Sequence, residues 1–169
     1  MLESSLDLPE KNRVDIYYHI AASAYMFNMY EVAYDHLEKA EELIKEISTR
    51  SKGILDPFQP IMAEDSIFSP MSIATNKGIV YQKMNQTSKA RLVLLEALEK
   101  HGTTTDKAKL YYSLGVLEFQ CGHYPDAYSY YHQADLSAED QPLKTEIKKR
   151  LDEVNKRIIR KESMQNNSD

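Results

Sequence analysis

The stretch "GHYPDAYSYYHQA", residues 122–134, carries four tyrosines yet keeps small residues at Gly122, Ala127 and Ala134. A segment rich in bulky aromatics keeps such positions small where another backbone must come close, as where the ridges of two packed helices cross. Pro125 marks a helix start after the turn "CGHYP", because a proline at the first helical position gives up an N–H that has no partner there anyway. The stretch therefore predicts the second helix of a closely packed antiparallel pair. Its small residues set the spacing, and its tyrosines fill what is left.

The same columns recur upstream. Ala21, Gly78 and Gly115 form one column of small residues, Ala33, Ala90 and Ala127 a second, and Ala40, Ala97 and Ala134 a third. Leu37, Leu94 and Tyr131 form a large apolar column between the last two, and Tyr30, Thr87 and Tyr124 precede the second. Gly78 follows Ala21 by 57 residues, and Gly115 follows Gly78 by 37. Three copies of one unit are implied, each a helix A, a short turn and a helix B. In the third, helix A runs from about Asp106 to Gln120 with a cap from Thr103 to Thr105, and Pro125 opens helix B. In the second, Ser69 caps and Pro70 opens helix A, "MNQTS" turns, and helix B runs to a left-handed stop at Gly102. In the first, helix A spans about Lys11 to Met26, "FNMY" turns, and a longer helix B reaches about Lys52.

After Pro142, the apolar residues Ile147, Leu151, Val154 and Ile158 make one stripe on a heavily charged helix. A repeat stack needs such a terminal helix with a polar outer face, and a coiled-coil dimer seam is the rival role. The expected fold is all-α: a helical solenoid of three pairs with a capping helix over about 142–162, about seven helices in all. One domain is expected over 1–162, with repeats at about 11–52, 70–102 and 105–137 and a disordered tail at 163–169. Residues 54–68, "ILDPFQPIMAEDSIF", interrupt the repeat; two prolines exclude a continuous helix, and the apolar residues point to a packed loop, a lid or a homodimer contact.

The pattern closely resembles the tetratricopeptide repeat (TPR). The resemblance is carried by "IAASAYMFNMYEVAYDHLEKA", "KGIVYQKMNQTSKARLVLLEA" and "LGVLEFQCGHYPDAYSYYHQA" and covers roughly residues 11 to 137. Lys77 departs from it, standing where an apolar residue precedes the glycine, and so does Ala74, in place of the usual aromatic. The resemblance implies a right-handed solenoid that binds a peptide or protein segment along a concave face lined by the A helices.

Composition narrows the function. A chain of 169 residues with net charge −5 offers no electrostatic footprint for direct nucleic-acid binding. There is no apolar run that spans a bilayer and no basic start followed by an apolar run, and the single cysteine, Cys121, excludes an internal disulfide. A cytoplasmic chain with no membrane attachment is expected. No catalytic constellation is evident: the serines lack a partnered base, and no Gly-rich phosphate loop occurs. Cys121 and His123 share a turn, but four metal ligands at zinc spacing are not apparent, so neither metal nor cofactor is expected. Glu38, Glu41, Glu42 and Glu46 alternate with Lys39 and Lys45 and read as a solvated, internally paired face.

The inward positions of the A helices are the candidate binding residues. Those positions include Asp15, Tyr18, His19, Ala22, Tyr25 and Met26 in the first, Ser72, Thr75, Asn76, Ile79, Gln82 and Lys83 in the second, and Lys109, Tyr112, Ser113, Val116, Phe119 and Gln120 in the third. Of these, Tyr18, His19, Tyr25, Asn76, Gln82, Lys109, Tyr112 and Phe119 are the residues expected to hold a partner. Amides such as Asn76 and Gln82 can pair the backbone of an extended peptide, and flat aromatics supply contact area at low entropy cost. Some TPR members clamp a C-terminal carboxylate with two lysines, two asparagines and an arginine. Here only Asn76 and Lys109 match, while Tyr18, Ala22 and Ser113 occupy the other places, which argues against that ligand. In repeat length and Lys/Glu/Ile/Asn-rich style the chain is similar to the repeat domains of the Gram-positive Rap, NprR and PlcR-like peptide-sensing regulators. That likeness implies the sensor part of a peptide-responsive regulator. The alternatives are a chaperone-like holder of a client segment, as in type III secretion chaperones, and an assembly scaffold using convex and end surfaces.

Overall fold

The computed structural model describes the backbone of residues 9–53, 69–100 and 104–166. Among these residues there are seven helices and no strand: α1 (Glu10–Met26), α2 (Tyr30–Gly53), α3 (Pro70–Lys83), α4 (Thr87–Leu98), α5 (Thr104–Gln120), α6 (Tyr124–Ser137) and α7 (Gln141–Asn166). The chain is an all-α helical repeat, as the small-residue columns predict. The insert 54–68 and the stop expected at Gly102 lie outside the described residues. The sequence reading treats 1–162 as one domain; by its contacts the chain divides into two compact units, one ending at Met84 and the other beginning at Asn85.

In the first unit α1 packs on α2 and α2 on α3. Ala21, Ala33, Leu37 and Ala40, all from the repeat columns, are buried with Val14, Ile44, Ile73 and Val80. The α1–α2 turn closes helix A with a double backbone bond: Met29 N–H donates to Ala24 O (2.8 Å) and Asn28 N–H to Tyr25 O (3.0 Å). This Schellman geometry places Asn28 in the left-handed region, at φ 60°. Asn85 and Gly122 occupy the same place in the other repeats, at φ 58° and 76°. Asparagine and glycine are the residues that enter this region at least cost. A further repeat column, Asn28, Asn85 and Gly122, thus has a conformational origin that the sequence reading did not draw out. At α3, Ser69 Oγ accepts the Ser72 N–H (3.0 Å) and Pro70 opens the helix, as expected. Helix α2, at 24 residues, is far longer than α4 and α6, at 12 and 14.

In the second unit α4 packs on α5, α5 on α6 and α6 on α7. Ala127, Tyr131 and Ala134 are buried with Ala108, Ala138, Ile147 and Val154, and Leu151 and Ile158 pack against them. The apolar stripe of the last helix therefore faces this core. At Gly115 the close neighbour is Tyr131: a Cβ there would lie 2.6 Å from the ring. The small residue at this column therefore accommodates an aromatic ring from α6.

Several helix ends differ from expectation. Pro125 is the second residue of α6, since Tyr124 already has helical geometry, and α5 begins at Thr104 rather than Asp106. Helix α4 ends at Leu98, before the expected stop. Helix α7 begins at Gln141, where Asp140 Oδ2 accepts the Leu143 N–H (2.9 Å), and continues to Asn166, into what the sequence reading takes as tail.

Candidate functional site

Helices α1 and α3 flank a recess of about 280 Å³ in the first unit. Tyr18, Ala21, Ala22, Tyr25 and Met26 line it from α1, Leu37 from α2, and Asn76, Ile79 and Val80 from α3. Residues 18, 22 and 25 fall on one helical face at steps of four and three, and Ala21 and Ala22 keep that face low. The repeat columns explain the remaining space. The third repeat sets the Tyr131 ring against Gly115, whereas the first has the smaller Leu37 in the Tyr131 column and Ala21 in the glycine column. The lining is mostly apolar and holds one polar pair, in which Asn76 Nδ2 donates to the Tyr18 hydroxyl at 2.6 Å. Tyr25 is braced by Tyr30, with ring centroids 5.8 Å apart.

Of the expected binding residues, Tyr18, Tyr25 and Asn76 come together at this recess. His19 is exposed beside it, its ring edge-on to Tyr18 at 6.4 Å. Gln82 is half-buried on α3 and does not line the recess. Lys109, Tyr112 and Phe119 belong to the second unit. There Tyr112 lies against Tyr131 (5.7 Å) and Phe119 against Tyr124 (5.4 Å), so both aromatics brace the α5–α6 pair, while Lys109 is exposed. Hydroxyls on the same helices turn inward: Thr75 Oγ1 donates to Met71 O, and Ser113 Oγ to Lys109 O.

Two polar clusters escaped the sequence reading. Lys77, the departure from the repeat pattern, is only 8% exposed, and its ammonium sits 2.9 Å from Glu41 Oε2, 3.5 Å from Glu38 Oε1 and 5.0 Å from the centre of the Tyr34 ring. Glu38 and Glu41 are thus more than a solvated face, since both hold a buried cation from α3. Burial alone would raise the Glu41 pKa, but hydrogen bonds from Lys77 and Lys45 outweigh it and hold this carboxylate below the ordinary glutamate range. In the second unit Glu118 is 3% exposed. Arg91 Nε and Nη2 donate to its Oε1 and Oε2 at 2.6 and 2.8 Å, and His123 Nδ1 lies 2.8 Å from Oε2. Burial again opposes ionisation there, and Arg91 and His123 overcome it, so Glu118 stays a carboxylate. The signal was present in both cases, a charged residue at a repeat position that faces the core, but its partner lies on another helix.

No family model matches the chain, and no curated protein matches it. Among solved structures it is similar to the TPR domain of Arabidopsis OM64, with a TM-score of 0.55 over 86% of this chain and 98% of that one, at 11% identity. The likeness supports a TPR-like fold. Among the described residues no helix is long and apolar enough to cross a membrane.

Proposed function

We propose that this chain is a non-catalytic binding module whose first-unit recess takes an apolar side chain from an extended peptide, as the sensor part of a peptide-responsive regulator would. The observation that supports this most is the recess itself: an apolar hollow with a single amide–phenol pair. A peptide seated there can bury an aliphatic or aromatic residue against Ala21, Leu37, Ile79 and Val80. Its backbone can meet Asn76, whose amide both donates and accepts. The TPR-like fold agrees with a protein-binding role.

A second reading, a holder of a longer client segment, has its own support. Met26 is 76% exposed, Phe27 77% and Met29 50%, extending the apolar surface from the recess across the α1–α2 turn. Methionine-rich surfaces adapt to varied apolar partners.

The test is a binding screen of the full chain against short unstructured peptides, repeated with Ala22→Phe, which fills the recess from the exposed side of α1, and with Asn76→Ala. Circular dichroism confirms that both variants fold. Binding of peptides shorter than about ten residues that both variants weaken by tenfold or more supports the sensor reading. Binding only of longer segments, lost with Phe27→Ala, supports the holder. Binding untouched by all three variants moves the function away from the recess.

A further inference from the structure

The turn between α5 and α6 brings together three metal-binding side chains of different chemistry. A carboxylate oxygen of Glu118, the Cys121 sulfur and a ring nitrogen of His123 all lie within 4.8 Å of one another. We propose that Glu118, Cys121 and His123 form a surface site for a divalent transition-metal ion, zinc above all, held by carboxylate, thiolate and imidazole. This site lies in the second unit and does not depend on the recess.

The local backbone prepares these donors. The Schellman closure fixes Gly122 at φ 76°, with His123 N–H donating to Glu118 O (2.9 Å) and Gly122 N–H to Phe119 O (3.1 Å). This folds residues 121 and 123 back over the last turn of α5, where Glu118 sits. By sequence alone Cys121 and His123 share a turn, His132 lies about two helical turns further on, and four ligands with a second cysteine are lacking. The end of α5 adds Glu118 as a donor, and His132 is not part of the cluster. Glu118 is buried and held rigidly, while Cys121 and His123 are exposed. One ligand is therefore fixed, and two can adjust to an incoming ion without repacking the core.

The chemistry balances. His123 Nδ1 and Glu118 Oε2 are 2.8 Å apart, with the ring N–H donating to the carboxylate. An ion bound by both takes the place of that hydrogen: the Nδ1 proton of the neutral ring passes through solvent to Nε2, which frees the Nδ1 lone pair for the metal. Tetrahedral bonds of about 2.0–2.1 Å need the two atoms about 3.3 Å apart, a shift that the exposed His123 can supply. The Cys121 thiol gives its proton to solvent as the metal–sulfur bond forms. Arg91 stays on Glu118, and its positive charge works against a cation. Asp126 lines the same surface hollow as Arg91, Glu118 and His123 and offsets that charge. With the thiolate formed, the surroundings carry net negative charge towards the ion. The mixed sulfur, nitrogen and oxygen set suits zinc and disfavours magnesium and calcium, which prefer oxygen alone.

The deciding experiment titrates the full chain, free of any polyhistidine tag and kept in a non-thiol reductant, with cobalt(II) and then zinc. The expected result is one equivalent of cobalt with a thiolate-to-cobalt charge-transfer band, displaced by one equivalent of zinc. Cys121→Ser abolishes the band, His123→Ala weakens zinc binding at least about tenfold, and His132→Ala leaves both unchanged. Both ligand positions are exposed, so these variants keep the fold. Absence of the band in the native chain overturns the proposal. So does a zinc affinity that is unchanged in His123→Ala, which would mean a lone thiol binding the ion, or one that falls equally in His132→Ala.

Discussion

The Tyr131 ring lies so close to Gly115 that a Cβ on that glycine would sit 2.6 Å from Cδ1 and 2.7 Å from Cε1. Tyr131 is 1% exposed, so its ring has nowhere to retreat. Gly115→Ala would gain about 1 kcal/mol of helix propensity at an ordinary site. Here a 2.6 Å approach to a ring with no room puts overpacking in the upper part of its usual range, about 2–3 kcal/mol, and it wins. The expected outcome is a net destabilisation of roughly 1–2 kcal/mol in urea unfolding, with the helical signal retained. A variant as stable as the native chain would show that α5 and α6 can separate without loss.

Two helix starts can be tested separately. Ser69 Oγ accepts the Ser72 N–H at α3, and Asp140 Oδ2 accepts the Leu143 N–H at α7. Each satisfies a backbone donor that the first helical turn leaves open. Ser69→Ala and Asp140→Ala should each cost about 1 kcal/mol, with hydrogen exchange accelerated mainly in the first turn of the helix affected.

These cases show which features could be read from the chain. Periodicity marks the helix pairs, because small residues must recur wherever backbones cross; Ala33, Ala90 and Ala127 are all fully buried. Local chemistry marks starts such as Ser69–Pro70, where cap and helix are neighbours in sequence. Pairings between helices are not legible in the same way. Lys77 meets Glu41 across 36 residues and Arg91 meets Glu118 across 27, and nothing local to either residue names its partner. The candidate site divides along the same line. That residues 18, 22 and 25 share a face with the α1 backbone follows from helical spacing. That Tyr18 and Asn76 bond to each other, while Tyr112 and Phe119 brace α6, depends on how the helices dock.

The Tyr18–Asn76 bond has its own consequence. At 2.6 Å it joins α1 to α3 at the recess. Tyr18→Phe and Asn76→Ala each remove it, so their effects on stability should not add. A double-mutant cycle should give a coupling of about 0.5–1.5 kcal/mol. If the recess binds peptide backbone through Asn76, Asn76→Ala should weaken peptide binding more than Tyr18→Phe, which leaves the amide in place. Full additivity in the cycle would show that the bond contributes nothing in solution.

The Lys77 cluster should make stability depend on acid. The folded-state pKa of Glu41 lies below the ordinary value of 4.5, so its contribution is present above that pH and is lost as pH falls through the lowered pKa. Lys77→Met keeps the buried stem and removes the charge. Glu41 retains Lys45 at 2.9 Å and some solvent, so the cost should be about 1–2 kcal/mol at neutral pH, less than for a fully buried pair. Below pH 4.5 the native and variant curves should converge. A constant gap across that range would assign the Lys77 effect to packing rather than charge.

Arg91 covers the second buried charge of the fold. Its two nitrogens bracket the Glu118 carboxylate, which is almost wholly buried. Arg91→Ala removes that cover and leaves the charge facing only His123. Breaking a buried pair costs about 3–5 kcal/mol when nothing compensates, so with His123 remaining about 2–3 kcal/mol is expected. Arg91→Lys restores a charge but not the fork that meets both oxygens, and should recover part of the loss. Glu118→Gln in the Arg91→Ala background removes the stranded charge and should regain stability relative to Arg91→Ala alone. If the double variant is instead less stable than Arg91→Ala, Glu118 contributes through its own contacts with His123 and not chiefly through Arg91.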